Sequence, residues 1–128
     1  MRLLLDTCTF LWIISDSPEL SADARSLFSA PANEVFLSAA STWEILVKHR
    51  LGRLPLPEPA HQFIPRQREQ HRIEPLPVDE ESVLQLSRLP DYHRDPFDRM
   101  LICQAVAHGL TILTPDTDIS RYPVRVVW

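Results

Sequence analysis

The sequence is poor in glycine, with only Gly52 and Gly109 among its 128 residues. Phosphate-binding loops and dinucleotide-binding fingerprints need several glycines close together, so P-loop and Rossmann sites are excluded. Cysteine is equally scarce. Cys8 and Cys103 lie far apart and form no CxxC pair, and no histidine spacing typical of a zinc site accompanies them. A single disulfide is one alternative, but because each cysteine lies in an apolar run, we favour two buried thiols.

Long apolar runs are also missing. No stretch approaches the roughly 18 residues that a membrane-spanning helix needs. The leucines at the N-terminus are interrupted by Asp6, which is not typical of a signal peptide. We therefore expect a cytoplasmic protein with no membrane partner.

Charge and composition are those of a folded domain. Hydrophobic residues make up 45% and charged residues 23% of the chain, and the length predicts one domain over residues 1–128. The net charge of −4 argues against a simple nucleic-acid binder. The segment 48–72 is an exception, because it carries six basic and two acidic residues.

The pattern of apolar runs, caps and breakers predicts alternating strands and helices. Strands are expected at 2–6, 34–38, 73–78, 110–114 and 124–128, and helices at 7–14, 22–29, 41–51, 60–71, 79–89 and 96–108. Ser41 is the predicted cap of the third helix, with Glu44 completing a capping box. Pro65 must kink its helix or begin a second one. This alternation predicts an α/β fold with a largely parallel sheet.

Four acids lie in apolar or structured surroundings where solvated carboxylates are not expected: Asp6, Glu44, Asp98 and Asp116. Asp6 and Asp116 follow predicted strands, and ligands of parallel sheets bind beyond the carboxyl ends of the strands. Each acid taken alone also has a structural interpretation, as a helix cap, as part of a capping box or as a complement to the helix dipole.

Taken together, the four acids favour a metal site. Converging carboxylates repel one another, and a hard cation such as Mg²⁺ or Mn²⁺ relieves that repulsion. Metals held by carboxylates commonly clamp phosphates and activate water. Asp95 lies three residues before Asp98 and can face the same pocket, and Asp118 follows Asp116 by two residues. Both are secondary candidates.

The segments around these acids resemble PIN-domain ribonucleases and, more narrowly, the VapC toxins of bacterial type II toxin–antitoxin modules. The resemblance covers residues 3–128 and rests on LDT at 5–7, SAASTWEI at 38–45, HRDPFDRMLI at 93–102 and LTPD at 113–116. It implies a PIN-like domain, built as a three-layer α/β/α sandwich with a central, mainly parallel sheet. It also implies an endoribonuclease that depends on Mg²⁺ or Mn²⁺ and is inhibited by a VapB-like antitoxin. A homodimer or a toxin–antitoxin hetero-oligomer is the expected assembly.

The resemblance also assigns site residues. The family's acids match Asp6, Glu44, Asp98 and Asp116 in this sequence, and these four would be both the catalytic residues and the metal ligands. Thr7 and Ser38 lie where small hydroxyls commonly support the site. Asp95 competes with Asp98 for the third position. We favour Asp98, because Asp95 is explained by capping a helix that begins at Pro96.

The expected reaction is hydrolysis of an RNA phosphodiester by a metal-activated water. Arg99 is a candidate phosphate contact, or else a surface arginine paired with Asp95. The basic segment 48–72 is a candidate for tracking the RNA backbone. The main alternative is a non-cleaving RNA-binding domain that acts by occupancy. Two others are a phosphatase with Asp6 as nucleophile, and a structural partner protein in which the acids serve only as caps.

Overall fold

One sheet of five parallel strands forms the centre of the molecule in a computed structural model that describes residues 1–128. The strands are β1 (Arg2–Leu5), β2 (Glu34–Ser38), β3 (Glu74–Leu76), β4 (Thr111–Leu113) and β5 (Arg125–Val127). Their order across the sheet is β3-β2-β1-β4-β5, so β1 is central and β3 is an edge strand. All five predicted strands are confirmed.

Six α-helices connect and cover the strands. They are α1 (Thr7–Ile14), α2 (Ala22–Ser29), α3 (Ala39–Arg50), α4 (Ala60–Gln70), α5 (Glu80–Leu84) and α6 (Pro96–His108). Two short 3₁₀ helices, Gln85–Arg88 and Ile119–Arg121, complete the elements. None of the helices has the length and apolar character needed to cross a bilayer.

The central strand divides the core into two clusters, one on each face of the sheet. Leu3 and Leu5 pack in a cluster that includes Phe10 and Ile45, while Leu4 points to the other face and packs with Leu101 of α6. Alternate residues of a strand face opposite sides of the sheet, so this division means that helices cover both faces. The expected three-layer α/β/α fold with a parallel sheet is confirmed.

Caps fix the ends of several helices. Ser21 accepts a hydrogen bond from the Ala24 amide at 2.9 Å and begins α2, as predicted. Asp95 and Pro96 begin α6, also as predicted. Gly109 ends α6 with φ 65°, a left-handed conformation that glycine adopts without a steric penalty.

The start of α3 was predicted wrongly. The cap is Ser38, which accepts a hydrogen bond from the Ala40 amide at 3.0 Å and lies three residues before the proposed cap Ser41. The Ser41 hydroxyl is buried without a hydrogen-bond partner, and Glu44 is not part of a capping box.

Two further helices differ from expectation in detail. Pro65 lies within one helix, α4, so no second helix begins there. The region predicted as a helix over 79–89 is divided into α5 and a 3₁₀ helix, with Asp79 as the predicted cap.

Candidate active site

Strand register places Asp6 and Thr114 side by side at the carboxyl edge of the sheet. Leu5 of β1 pairs with Leu113 of β4, so the next residue on each chain segment leaves the sheet at the same level. The Thr114 hydroxyl donates to Asp6 Oδ2, and the Thr9 amide donates to Asp6 Oδ1 at 2.8 Å. Asp6 is thus the N-cap of α1 as well as a member of the site.

Burial raises the pKa of Asp6 above its ordinary value, since only 7% of the residue is exposed. Hydrogen bonds from Thr114 and Thr9 oppose this shift, and the nearby charge of Asp116 adds to it. The hydrogen bonds to the Asp6 carboxylate therefore offset only part of the cost of burying its negative charge.

Glu44 reaches the same edge from α3. It is 5% exposed, and its two oxygens have different partners. The Thr7 hydroxyl donates to Oε1 at 2.6 Å, and the Lys48 ammonium, one helical turn later, pairs with Oε2. Thr7 therefore contacts one of the four predicted acids.

Asp98 and Asp116 lie on either side of His93. His93 Nε2 is 3.1 Å from Asp98 Oδ2 and 3.6 Å from Asp116 Oδ2. One ligand atom from each of these three residues lies within 4.8 Å of the others. This group contains two of the four predicted acids. A second group that meets the same criterion consists of Asp79, Glu81 and His108.

The environment of Asp98 raises its pKa to about 7. Burial is the main cause, followed by repulsion from the charge of Asp95, with smaller repulsion from Asp6 and Glu44. Attraction to His93 opposes the rise. The four predicted acids therefore lie close enough for their charges to act on one another, since Asp116 acts on Asp6 as well.

Three of the secondary candidates, Asp95, Asp118 and Ser38, have different contacts in the structure. Asp95 caps α6, accepting from the amides of Phe97 at 2.8 Å and Asp98 at 3.1 Å, as its alternative role predicted. Asp118 is exposed, and only its backbone amide contacts Asp116. Ser38 caps α3 and donates to Gln104 Oε1, so its hydroxyl supports the helices rather than an acid.

Arg99 holds the loop that carries His93. Its guanidinium donates to the carbonyl oxygen of Pro90 at 2.9 Å and lies 3.4 Å from Asp91 Oδ1. The alternative of a surface arginine paired with Asp95 is wrong, because the side chain turns toward the preceding loop. Its Nη1 is also 3.4 Å from the His93 carbonyl oxygen, so the guanidinium is engaged within the protein.

Two residues of the site were not identified from the sequence. His93 begins the HRDPFDR segment, and its two-residue spacing from the helix cap Asp95 was the available signal. Lys48 was assigned only to the basic segment, although its position four residues after Glu44 predicts an ion pair on one helix face.

The two cysteines are both free, but only one is buried. Cys103 is buried as expected, whereas Cys8 is exposed. Partial burial raises the pKa of the Cys8 thiol, and the charges of Asp6 and Glu44 raise it further. Cys8 thus borders the acids and is poorly disposed to form a thiolate.

The chemistry of the donors fits a hard divalent cation. Carboxylate oxygens predominate, one histidine nitrogen is present, and repulsion from neighbouring carboxylates adds to the effect of burial in raising the pKa of Asp98. Mg²⁺ and Mn²⁺ prefer such ligands. Asp98 and Asp116, with Asp6 beside them, are the residues placed to hold one.

An apolar groove borders the site between the start of α3, the α5 region and the start of α6. Its volume is about 710 Å³. Trp43 is 63% exposed in its wall and meets Phe97 edge-on, with ring centroids 4.9 Å apart. Because a large exposed aromatic surface is unusual in an isolated chain, this groove is a candidate surface for a binding partner.

One curated relative matches part of the chain. It is Ribonuclease VapC16 of Mycobacterium tuberculosis, which is 42% identical over 66 residues. The match covers 48% of this chain and 47% of the relative, so the chain spans about half the length of that relative.

Solved structures match over nearly the full length. VapBC2 from Rickettsia felis, bound to a DNA fragment from its promoter, has a TM-score of 0.76 at 15% identity, covering 99% of this chain and 98% of the other. FitAcB from Neisseria gonorrhoeae has a TM-score of 0.66 at 23% identity, covering 98% and 96%. The family model of the PIN domain matches residues 3–125. With the sheet, the carboxyl-edge acids and this match in agreement, the chain belongs to the PIN domain family.

Proposed function

We propose that the protein is a metal-dependent endoribonuclease and the toxin of a VapBC-type toxin–antitoxin module. The observation that carries the proposal is the convergence of Asp98 and Asp116 on His93, beside Asp6 and Glu44, at the carboxyl edge of a parallel sheet. The similarity to a VapC ribonuclease supports RNA as the substrate.

In this proposal, Asp6, Asp98 and Asp116 hold Mg²⁺ or Mn²⁺, and Glu44 completes the acidic set. When bound, the metal would lower the pKa of a water and offset charge on the phosphate. Thr114 and Thr9 fix the orientation of the Asp6 carboxylate through hydrogen bonds to its two oxygens. Thr7 fixes Glu44 in the same way, and Arg99 holds the loop bearing His93.

The remaining residues have supporting roles. Asp95 sets the start of α6, which determines where Asp98 points. Ser38 links α3 to α6 through Gln104, and the Gln104 amide in turn donates to the Pro77 carbonyl oxygen at 3.0 Å. Asp118 lies outside the set of acids.

The proposal extends to partners, location and organisation. A VapB-like antitoxin is the proposed protein partner, supported by solved neighbours that include VapBC2 and a toxin–antitoxin complex. The exposed groove around Trp43 offers apolar surface for such a partner or for a second copy of the chain. We further propose a single domain over residues 1–128, working in the cytoplasm.

Cleavage of total cellular RNA by the purified, antitoxin-free protein tests the function. We expect discrete fragments with Mg²⁺ or Mn²⁺ and none with chelator. Asp98→Asn and Asp6→Asn each remove a ligand charge at nearly constant size, and we expect at least a hundredfold loss of rate, on the order of what single catalytic groups contribute.

Asp118→Asn is the matched control, because it removes an exposed carboxylate two residues from Asp116 and should leave cleavage unchanged. Cleavage that persists in Asp98→Asn would contradict the assignment. The non-cleaving alternative predicts a different result: the protein binds RNA, and no metal produces fragments.

A further inference from the structure

Lys48 is a basic residue that forms an ion pair with one of the four acids. Its ammonium pairs with Glu44 Oε2, one turn earlier in α3. Glu44 is itself buried, so this ion pair holds the Lys48 ammonium beside the acids.

The ammonium is only partly satisfied by the protein. It has three N–H donors. Glu44 is its one hydrogen-bond partner, and 48% of the side chain is exposed. By contrast, Arg68 donates to the Ile73 carbonyl oxygen, and only 19% of its side chain is exposed. Lys48 thus presents free donors beside the acids.

Glu44 is also unlike the other acids. Asp98 and Asp116 have only the His93 imidazole as a nearby partner of this kind, while Glu44 is paired with a lysine and accepts from the Thr7 hydroxyl. A carboxylate already matched by an ammonium attracts a metal less strongly than an unmatched one. Its two bonds instead fix the position of the lysine.

A phosphodiester that approaches this site meets several carboxylates that repel it. A cation held at the edge of the cluster offsets that repulsion and offers a charge-assisted hydrogen bond. We propose that Lys48 binds a phosphate oxygen of the RNA strand and that Glu44 serves mainly to hold the Lys48 ammonium in place. This inference rests on the proposed function, since it takes RNA as the ligand.

The test measures binding of a short fluorescein-labelled oligouridylate in chelator as a function of salt. For single strands, each phosphate contact contributes about 0.7 to the slope of log affinity against log salt. We expect Lys48→Gln and Lys48→Met to bind more weakly and to lower the slope by about 0.7. Lys48→Arg should retain the wild-type slope.

Arg25→Gln is the matched control. Arg25 is also an ion-paired cation, but its partner is Asp16, beyond the far end of α1. Its removal should not change the slope. Circular dichroism of each variant establishes that it is folded before binding is measured.

A second measurement separates phosphate binding from a merely structural role. Titration of Mn²⁺ without RNA should give Lys48→Gln an affinity no weaker than wild type. An unchanged salt slope, or a Mn²⁺ affinity that falls while the slope is constant, would overturn the proposal. One outcome separates the two proposals. If the wild-type protein shows no metal-dependent cleavage but Lys48→Gln still lowers the salt slope of RNA binding, the proposed enzyme function fails and the phosphate contact stands. Absence of RNA binding in wild type overturns both.

Discussion

At the scale of single residues, Asp98 is the most perturbed group in the site. Ionisation of its carboxyl group is unfavourable, because the group is largely buried and close to Asp95, Asp6 and Glu44. A carboxyl group whose pKa is raised in the folded state binds its proton more tightly in the folded protein than in the unfolded chain. Its effect on stability therefore depends on pH in a defined direction.

We predict that Asp98→Asn stabilises the metal-free protein at pH 8. As pH rises from about 4 to about 7, the unfolded chain loses its Asp98 proton while the folded chain keeps it, so wild-type stability falls across that interval. Each unit of pKa difference is worth about 1.4 kcal/mol, which gives a gain of a few kcal/mol for the variant.

Urea denaturation at pH 4.5 and pH 8 in chelator measures this effect. The two proteins should be closest in stability at the lower pH and furthest apart at the higher one. A variant that is less stable than wild type at pH 8 would show that the contact with His93 outweighs the cost of the buried charge.

At the scale of elements, the sequence predicted the ends of α6 better than those of α3. Asp95 and Pro96 at its start and Gly109 at its end are strong local signals, and each acts through the backbone within one turn. For α3, Ser38 and Ser41 are both acceptable caps locally. The choice of Ser38 follows from tertiary packing, since its hydroxyl also meets Gln104 of α6.

We predict that Asp95→Ala destabilises the protein by about 1 kcal/mol, because it removes the acceptor for the Phe97 and Asp98 amides. Asp95→Asn should retain most of the stability, since asparagine caps equally well. Thermal unfolding of both variants measures the difference. Equal loss in the two variants would mean that the charge of Asp95, rather than its capping oxygen, matters.

At the scale of the whole molecule, the site exists only because the sheet brings distant segments together. Asp6 and Thr114 are joined through the pairing of β1 with β4, and Thr7 and Glu44 through the packing of α1 near α3. A cation that binds across these segments should therefore stabilise the complete fold.

We predict that Mg²⁺ and Mn²⁺ raise the melting temperature. At a concentration a hundred times the dissociation constant, a ligand adds about 2.7 kcal/mol, which corresponds to about 10 °C for a domain of this size. The shift should be larger at pH 8 than at pH 5.5, because protons compete with the metal at Asp98.

Scanning calorimetry at both pH values tests this. Asp98→Asn should lose most of the shift, while Asp118→Asn should keep it, since Asp118 is exposed and lies outside the acidic set. A shift of equal size in both variants would place the metal elsewhere on the protein.

The sequence by itself determined the order of strands and helices and the positions of the four acids after strands or within helices. These features follow from local patterns: apolar runs, caps and breakers act over a few residues. The resemblance then assigned those acids to one site. The sequence could not predict which side chains contact the acids, because those contacts depend on strand register and side-chain direction across the sheet.

Only the tertiary structure decided the roles of His93 and Arg99. His93 is brought between Asp98 and Asp116 by a loop that Arg99 holds, and no local pattern encodes that contact. Exposure of Cys8 has the same origin, since an apolar run does not say which of its members faces the site. Local propensity fixes elements, whereas long-range packing fixes which side chains meet.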